Sequence, residues 1–169
     1  MSTLESFSRE SFYLSKKDDS MNDQYYMNLA LQLARSVKGQ TYPNPPVGAI
    51  VVKNGVILGI GAHLKSGTAH AEVHALQMAG DLAEGATIYV TLEPGSHQGK
   101  TPPCAQLIIN QKLARVVIAQ QDPHDKVAGS GINMLKNAGI EVEVGLMQEQ
   151  AAAVHDVFFH YIQTKRPYV

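Results

Sequence analysis

The stretch "AIVVKNGVILGIGAH", residues 49–63, decides the fold. Two apolar runs of strand length flank Asn54-Gly55, a pair suited to the positive φ angles of a two-residue hairpin turn. The reading is strand, tight turn, strand. Upstream, "TYPNPPVG" (41–48) is a rigid loop, because its three prolines fix φ and withhold backbone donors. Before that, "NDQYYMNLALQLARSVKG" (22–39) carries apolar residues at helical spacing, with Asn22 or Asp23 as cap and Gly39 as stop.

Downstream of the hairpin, helix and strand signals alternate. "AHAEVHALQMAG" (69–80) predicts a helix ended by Gly80, and "ATIYVTLEP" (86–94) a short apolar strand. "PPCAQLIINQ" (102–111) begins a helix with proline in its first turn, and "ARVVIAQ" (114–120) is a buried strand. "VAGSGINMLKNAG" (127–139) is a helix closed by Gly139, "IEVEVG" (140–145) an alternating strand, and "MQEQAAAVHDVFFHYIQTK" (147–165) one long C-terminal helix. The order α-β-β-α-β-α-β-α-β-α implies an α/β fold: a three-layer α/β/α sandwich on a mixed five-stranded sheet. Residues 1–20, polar and Ser-rich, are expected to be a flexible leader to a single domain over 21–169. The basic, proline-containing "TKRPYV" (164–169) reads as the start of a linker.

Composition narrows the function classes. With 14 Lys+Arg against 15 Asp+Glu there is no basic excess for nucleic acid, although a small anionic substrate needs only local positive charge. The apolar share of 44% and charged share of 17% are those of a globular chain. One cysteine excludes an internal disulfide framework. No apolar run approaches the roughly 18 residues of a membrane span, and no secretory pattern opens the chain; a cytoplasmic location is the expectation.

The chemistry gathers in two places. In "HAE" (70–72), His70 and Glu72 diverge by about 200° in mid-helix, and converge on one ligand only where the helix begins near His70. "TLEPGSHQGKTPPC" (91–104) places a thiol at the start of the next helix. Zinc deaminases join H-x-E at one helix start to a Pro-Cys…Cys loop at another, the glutamate serving as proton shuttle and not as ligand. His70 and His74 stand four apart as in a metalloprotease helix, but that chemistry needs glutamate directly after the first histidine. His155 and His160 lie among aromatics and read as packing or surface residues, and Gly129-Ser130-Gly131 is a weak sign of a phosphate cradle.

From about Asn22 to Val169 the chain resembles the deaminase domain of the bacterial riboflavin-biosynthesis deaminase/reductase, within the cytidine-deaminase-like fold. The matching stretches are "YPNPPVGAIVVKNGVILGIGAH", "HAEVHALQMAG", "ATIYVTLEP", the "SH", "GK" and "TPPC" of the loop, and the closing "RPYV". The resemblance implies His70 and Cys104 as zinc ligands and Glu72 as proton shuttle. Asn44 and His63 would line the pyrimidine pocket, Lys100 and Thr101 would lie near the ribose phosphate, and Asp122 would complete the pocket. The implied reaction is hydrolytic deamination of a phosphoribosylated diaminopyrimidinone to the aminouracil derivative. Zinc is the implied cofactor, with no nicotinamide site on this domain. The implied partners are a small phosphorylated pyrimidine, other copies of the chain in a homo-oligomer, and a reductase domain or enzyme of the same pathway; nucleic acid and membrane are not among them.

Two departures stand out. "DPHD" (122–125) replaces the family's D-P-N-P, and the family's first loop thiolate falls on Gly95, which offers no ligand atom. Zinc held by His70 and Cys104 alone has two protein ligands and binds more weakly than with three. His97, water or a partner chain are the candidates for the third position. The rival reading is a catalytically inactive module that keeps the fold for substrate binding or subunit association; retained Glu72 speaks against it.

Overall fold

The computed structural model describes residues 22–99, 101–124 and 128–166, together with the backbone but not the side chains of 161–163. The expected leader lies outside the described residues, as do Lys100 and Asp125. Helix α1 covers 22–36. Strands β1 (Gly48–Lys53) and β2 (Val56–Ala62) form the hairpin, and Asn54 and Gly55 take the positive φ values, 51° and 75°, that the turn requires. There follow α2 (Ala71–Ala79) with a short 3₁₀ turn (Gly80–Ala83), β3 (Thr87–Val90), α3 (Cys104–Asn110), β4 (Arg115–Ile118), α4 (Ser130–Asn137) and β5 (Glu141–Val144). Helices α5 (Gln148–Val154) and α6 (Asp156–Thr164) close the described chain. The sheet order is β2-β1-β3-β4-β5. β1 is antiparallel to both its neighbours, whereas β3, β4 and β5 run parallel, which makes the sheet mixed as expected.

Burial on both faces explains the near-continuous apolar runs of β1, β3 and β4. Successive side chains alternate across the sheet. Ala49, Val51, Ile88, Val90, Val116 and Ile118 enter the core that also takes residues of α2, α3 and α4. Ile50, Val52, Tyr89 and Val117 enter the opposite core, with α1 and α5. Among the described residues no helix is long and apolar enough to cross a membrane.

Two glycines decide where α2 lies. A Cβ on Gly59 would stand 2.0 Å from the Ala75 carbonyl oxygen, and one on Gly61 2.1 Å from that of Ala71. Only bare backbone on β2 lets the helix come so close.

Three local expectations need correction. Asp23 lies inside the first turn of α1 and does not cap it; its carboxylate accepts from Arg115 at 2.8 and 2.7 Å and from the Tyr89 hydroxyl at 2.6 Å. Pro103 is the N-cap of α3, one position before the helix. The expected single C-terminal helix breaks at His155. There the fully buried ring lies 3.3 Å from the Gln120 amide oxygen, and the Asp156 carboxylate accepts from the Val157 N–H at 2.7 Å to start a new helix. The periodicity of Ala151, Val154 and Phe158 runs on across the break, which hides it from the sequence.

His155 predicts an acid limb to stability. Burial lowers its pKa from 6.5 to about 4, against the Pro46 carbonyl and Asp156, which favour the charged form, and with Lys38, which opposes it. A depressed pKa means that the unfolded chain binds the proton first. The stabilisation is therefore present above pH 6.5 and is lost as pH falls towards 4, amounting to about 3 kcal/mol at most. Urea unfolding between pH 7 and 4.5 is expected to show this loss in the natural chain and a flatter profile in His155→Gln. Equal slopes in the two proteins would refute it.

Candidate active site

The cavity opens outside the C-terminal ends of β3 and β4, where parallel strands of an open sheet leave a crevice. It measures about 230 Å³ and is lined by Asn44, His63, His70, Glu72, Gly95 and Asp122, with Phe158 of α6 on one wall. Two helix starts supply the chemistry. His70 is the N-cap of α2, with φ −69° and ψ 162°, so its extended backbone turns the ring back towards the carboxylate two residues on. Cys104 is the first residue of α3. His70 Nδ1 and Cys104 Sγ are 3.3 Å apart. Ligand atoms of His70, Glu72 and Cys104 all lie within 4.8 Å of one another.

This geometry fits zinc. An imidazole nitrogen and a thiolate on one tetrahedral zinc stand about 3.6 Å apart, close to the separation seen, and both donor types suit that ion. Among the described residues these three alone form a converging donor set; His97 is exposed and stands outside it. Gly95 lines the cavity but contributes no donor, and a Cβ built on it would meet nothing within 4 Å. The Gly95 carbonyl accepts from the Ala105 N–H at 3.1 Å, which ties this loop to the first turn of α3.

Burial governs the protonation of the site's side chains. Glu72 is 4% exposed, and burial raises its pKa from 4.5 to about 7, with its own backbone N–H and Cys104 pulling the other way. It therefore exists as both acid and base near neutrality. Burial, followed by the nearby Glu72 carboxylate, pushes the Cys104 thiol up. A cation between the two reverses that sign, since a coordinating thiol is deprotonated. His63 is buried with Nδ1 3.3 Å from the Ala69 carbonyl and Nε2 without a protein partner. Burial, opposed by the Ala69 carbonyl and assisted by His70 and His74, lowers its pKa and favours the neutral ring. Its edge meets the His70 ring at 5.3 Å between centroids.

The predicted residues do not all gather. Asn44 lines the cavity and donates to the Ser66 hydroxyl at 3.2 Å, and Asp122 lines it from the loop after β4, its carboxylate accepting from the His124 N–H at 2.9 Å. Thr101 is exposed and outside the cavity lining, and Lys100 lies outside the described residues. Glu93 and Phe158 line the cavity and escape sequence reasoning. A carboxylate between an apolar strand and Pro94 was the available signal for Glu93; Phe158 had none. The Gly129–Gly131 turn is no phosphate cradle here, because the Gly129 and Gly131 N–H groups already donate to Glu93.

Residues 20–120 match the family model described as "Cytidine and deoxycytidylate deaminase zinc-binding region". The chain is 58% identical over 147 residues to riboflavin biosynthesis protein RibD of Bacillus amyloliquefaciens, a match covering 87% of this chain and 40% of that protein. The RibD structure from Acinetobacter baumannii (form 1) superposes with a TM-score of 0.83 at 48% identity, over 86% of this chain and 41% of that one. The Thermotoga maritima structure described as a diaminohydroxyphosphoribosylaminopyrimidine deaminase/5-amino-6-(5-phosphoribosylamino)uracil reductase superposes with a TM-score of 0.82 at 43% identity, covering 86% and 42%. The chain thus spans about two fifths of the length of these relatives.

Proposed function

Because the chain belongs to the cytidine and deoxycytidylate deaminase family, we propose that it is a zinc-dependent deaminase of riboflavin biosynthesis. Its substrate is diaminohydroxyphosphoribosylaminopyrimidine, which it converts to the aminouracil derivative with release of ammonia. The observation that carries this reading is the convergence of His70, Glu72 and Cys104 on one cavity.

His70 Nδ1 and Cys104 Sγ would hold the zinc. When bound, the ion supplies Lewis acidity, which lowers the pKa of water towards neutrality. Glu72 takes a proton from the water that adds to the amino-bearing ring carbon. It gives that proton to the adjacent ring nitrogen, then moves water's second proton from the new hydroxyl to the amino nitrogen, which leaves as ammonia; water's oxygen remains as the new carbonyl. His63 Nε2 and the Asn44 amide offer hydrogen bonds to the ring, and Asp122 bounds its far side. The phosphate would lie towards Lys100 and Thr101. The domain over 21–169, a cytoplasmic setting, a homo-oligomeric state and a reductase that consumes the product belong to the same reading.

The direct test is ammonia release from this substrate by the purified chain with zinc added. Release is expected to fall to background with chelator and to return with zinc. A fully zinc-loaded chain that binds the substrate and frees no ammonia would overturn the reading in favour of a binding module.

A further inference from the structure

Glu93 is a buried carboxylate, 7% exposed, placed where β3 runs into the metal-side loop. Its Oε1 accepts from the N–H groups of Asp122 at 3.2 Å and Gly129 at 3.0 Å. Its Oε2 accepts from those of Gly131 at 2.9 Å and Ile132 at 3.3 Å. Donors from Asp122, which lines the cavity, and from the start of α4 thus converge on one side chain. The next residue adds a steric key: a Cβ on Gly131 would lie 2.0 Å from the Pro94 carbonyl oxygen, so α4 sits directly on the loop that leads to Gly95.

We propose that Glu93 is the positioning residue of this site, a clamp that holds the Asp122 loop and the Pro94-Gly95 loop in one fixed relation. It acts through Asp122 and Gly95 and not on the reacting atoms: among the described residues its carboxylate oxygens are taken up by the backbone N–H groups of Asp122, Gly129, Gly131 and Ile132. The helix start that would otherwise bind an anion is satisfied from within. The clamp's part in substrate binding rests on the deaminase reading above; its existence does not.

The test uses the full chain with Glu93→Gln and Glu93→Asp. Glutamine keeps the shape but turns an amide NH₂ towards one pair of N–H donors. Amide exchange at Gly131 and Ile132, or at Asp122 and Gly129, is expected to quicken at least about tenfold, as the loss of a charge-assisted hydrogen bond requires. Amides of β1 and β3 should keep their rates. Affinity for the aminouracil nucleotide product, measured by titration calorimetry, should fall about tenfold or more, and Glu93→Asp should recover part of both effects. Unchanged exchange at all four amides would overturn the clamp. Faster exchange with unchanged nucleotide affinity would reduce Glu93 to a structural role and overturn the positioning claim. If the natural chain bound no such nucleotide, the deaminase reading would fall, and exchange would still decide whether the clamp exists.

Discussion

Gly95→Cys is expected to turn a weak zinc site into a tight one. After dialysis against metal-free buffer the natural chain should lose most of its zinc, whereas the variant should retain close to one ion per chain. Even outer partners of a metal ligand change affinity by 10–100-fold, so a third ligand should raise it by about 100-fold or more. The structure accommodates the change: position 95 lines the cavity with His70 and Glu72, and its new Cβ would have no neighbour within 4 Å. The Gly95 carbonyl is already anchored to Ala105, so the loop need not be reordered. Ammonia release at limiting zinc should rise in step with occupancy. Thermal denaturation with and without zinc gives a second readout, because an ion that binds only the folded chain raises its stability. A variant with unchanged zinc content would mean that side chains at 95 point away from the His70–Cys104 pair.

Glu72→Gln is expected to lower deamination by about 10²–10⁴-fold, the usual contribution of a positioned acid–base group. Zinc content and the fold should not change. Glutamine has the same shape, and Glu72 is buried, so the substitution leaves the packing around it in place. The comparison is best made with Gly95→Cys as the parent, where occupancy is not limiting. A fall in zinc content that parallels the fall in rate would make Glu72 a ligand and not a proton carrier.

The hairpin was legible because Asn54-Gly55 states its own turn, and the mixed sheet followed from what surrounds it. The His70–Glu72 pairing was legible for a stricter reason. Residues two apart can meet only at a helix start, and α2 does start immediately after His70. What escaped depends on partners far along the chain. Glu93 is bound by backbone groups 29 to 39 residues downstream, and no pattern around it announces them. Asp23 looked like a cap and is instead held by Arg115, 92 residues away. The break at His155 turns on Gln120, so local periodicity reads straight through it. Thr101 was placed near the phosphate by resemblance alone; it is exposed and outside the cavity lining.

The seat of α2 on β2 has a consequence for how this protein can vary. Where side chains set the spacing between layers, a substitution that adds or removes a methylene shifts the helix above it. At Gly59 and Gly61 the contact is main chain against main chain, with no side-chain length in it. The height of Glu72 above the sheet is therefore insulated from drift in the neighbouring hydrophobic residues. A lineage can exchange Val, Ile and Leu through both cores while Glu72 stays at one height above the sheet, provided those two glycines are kept.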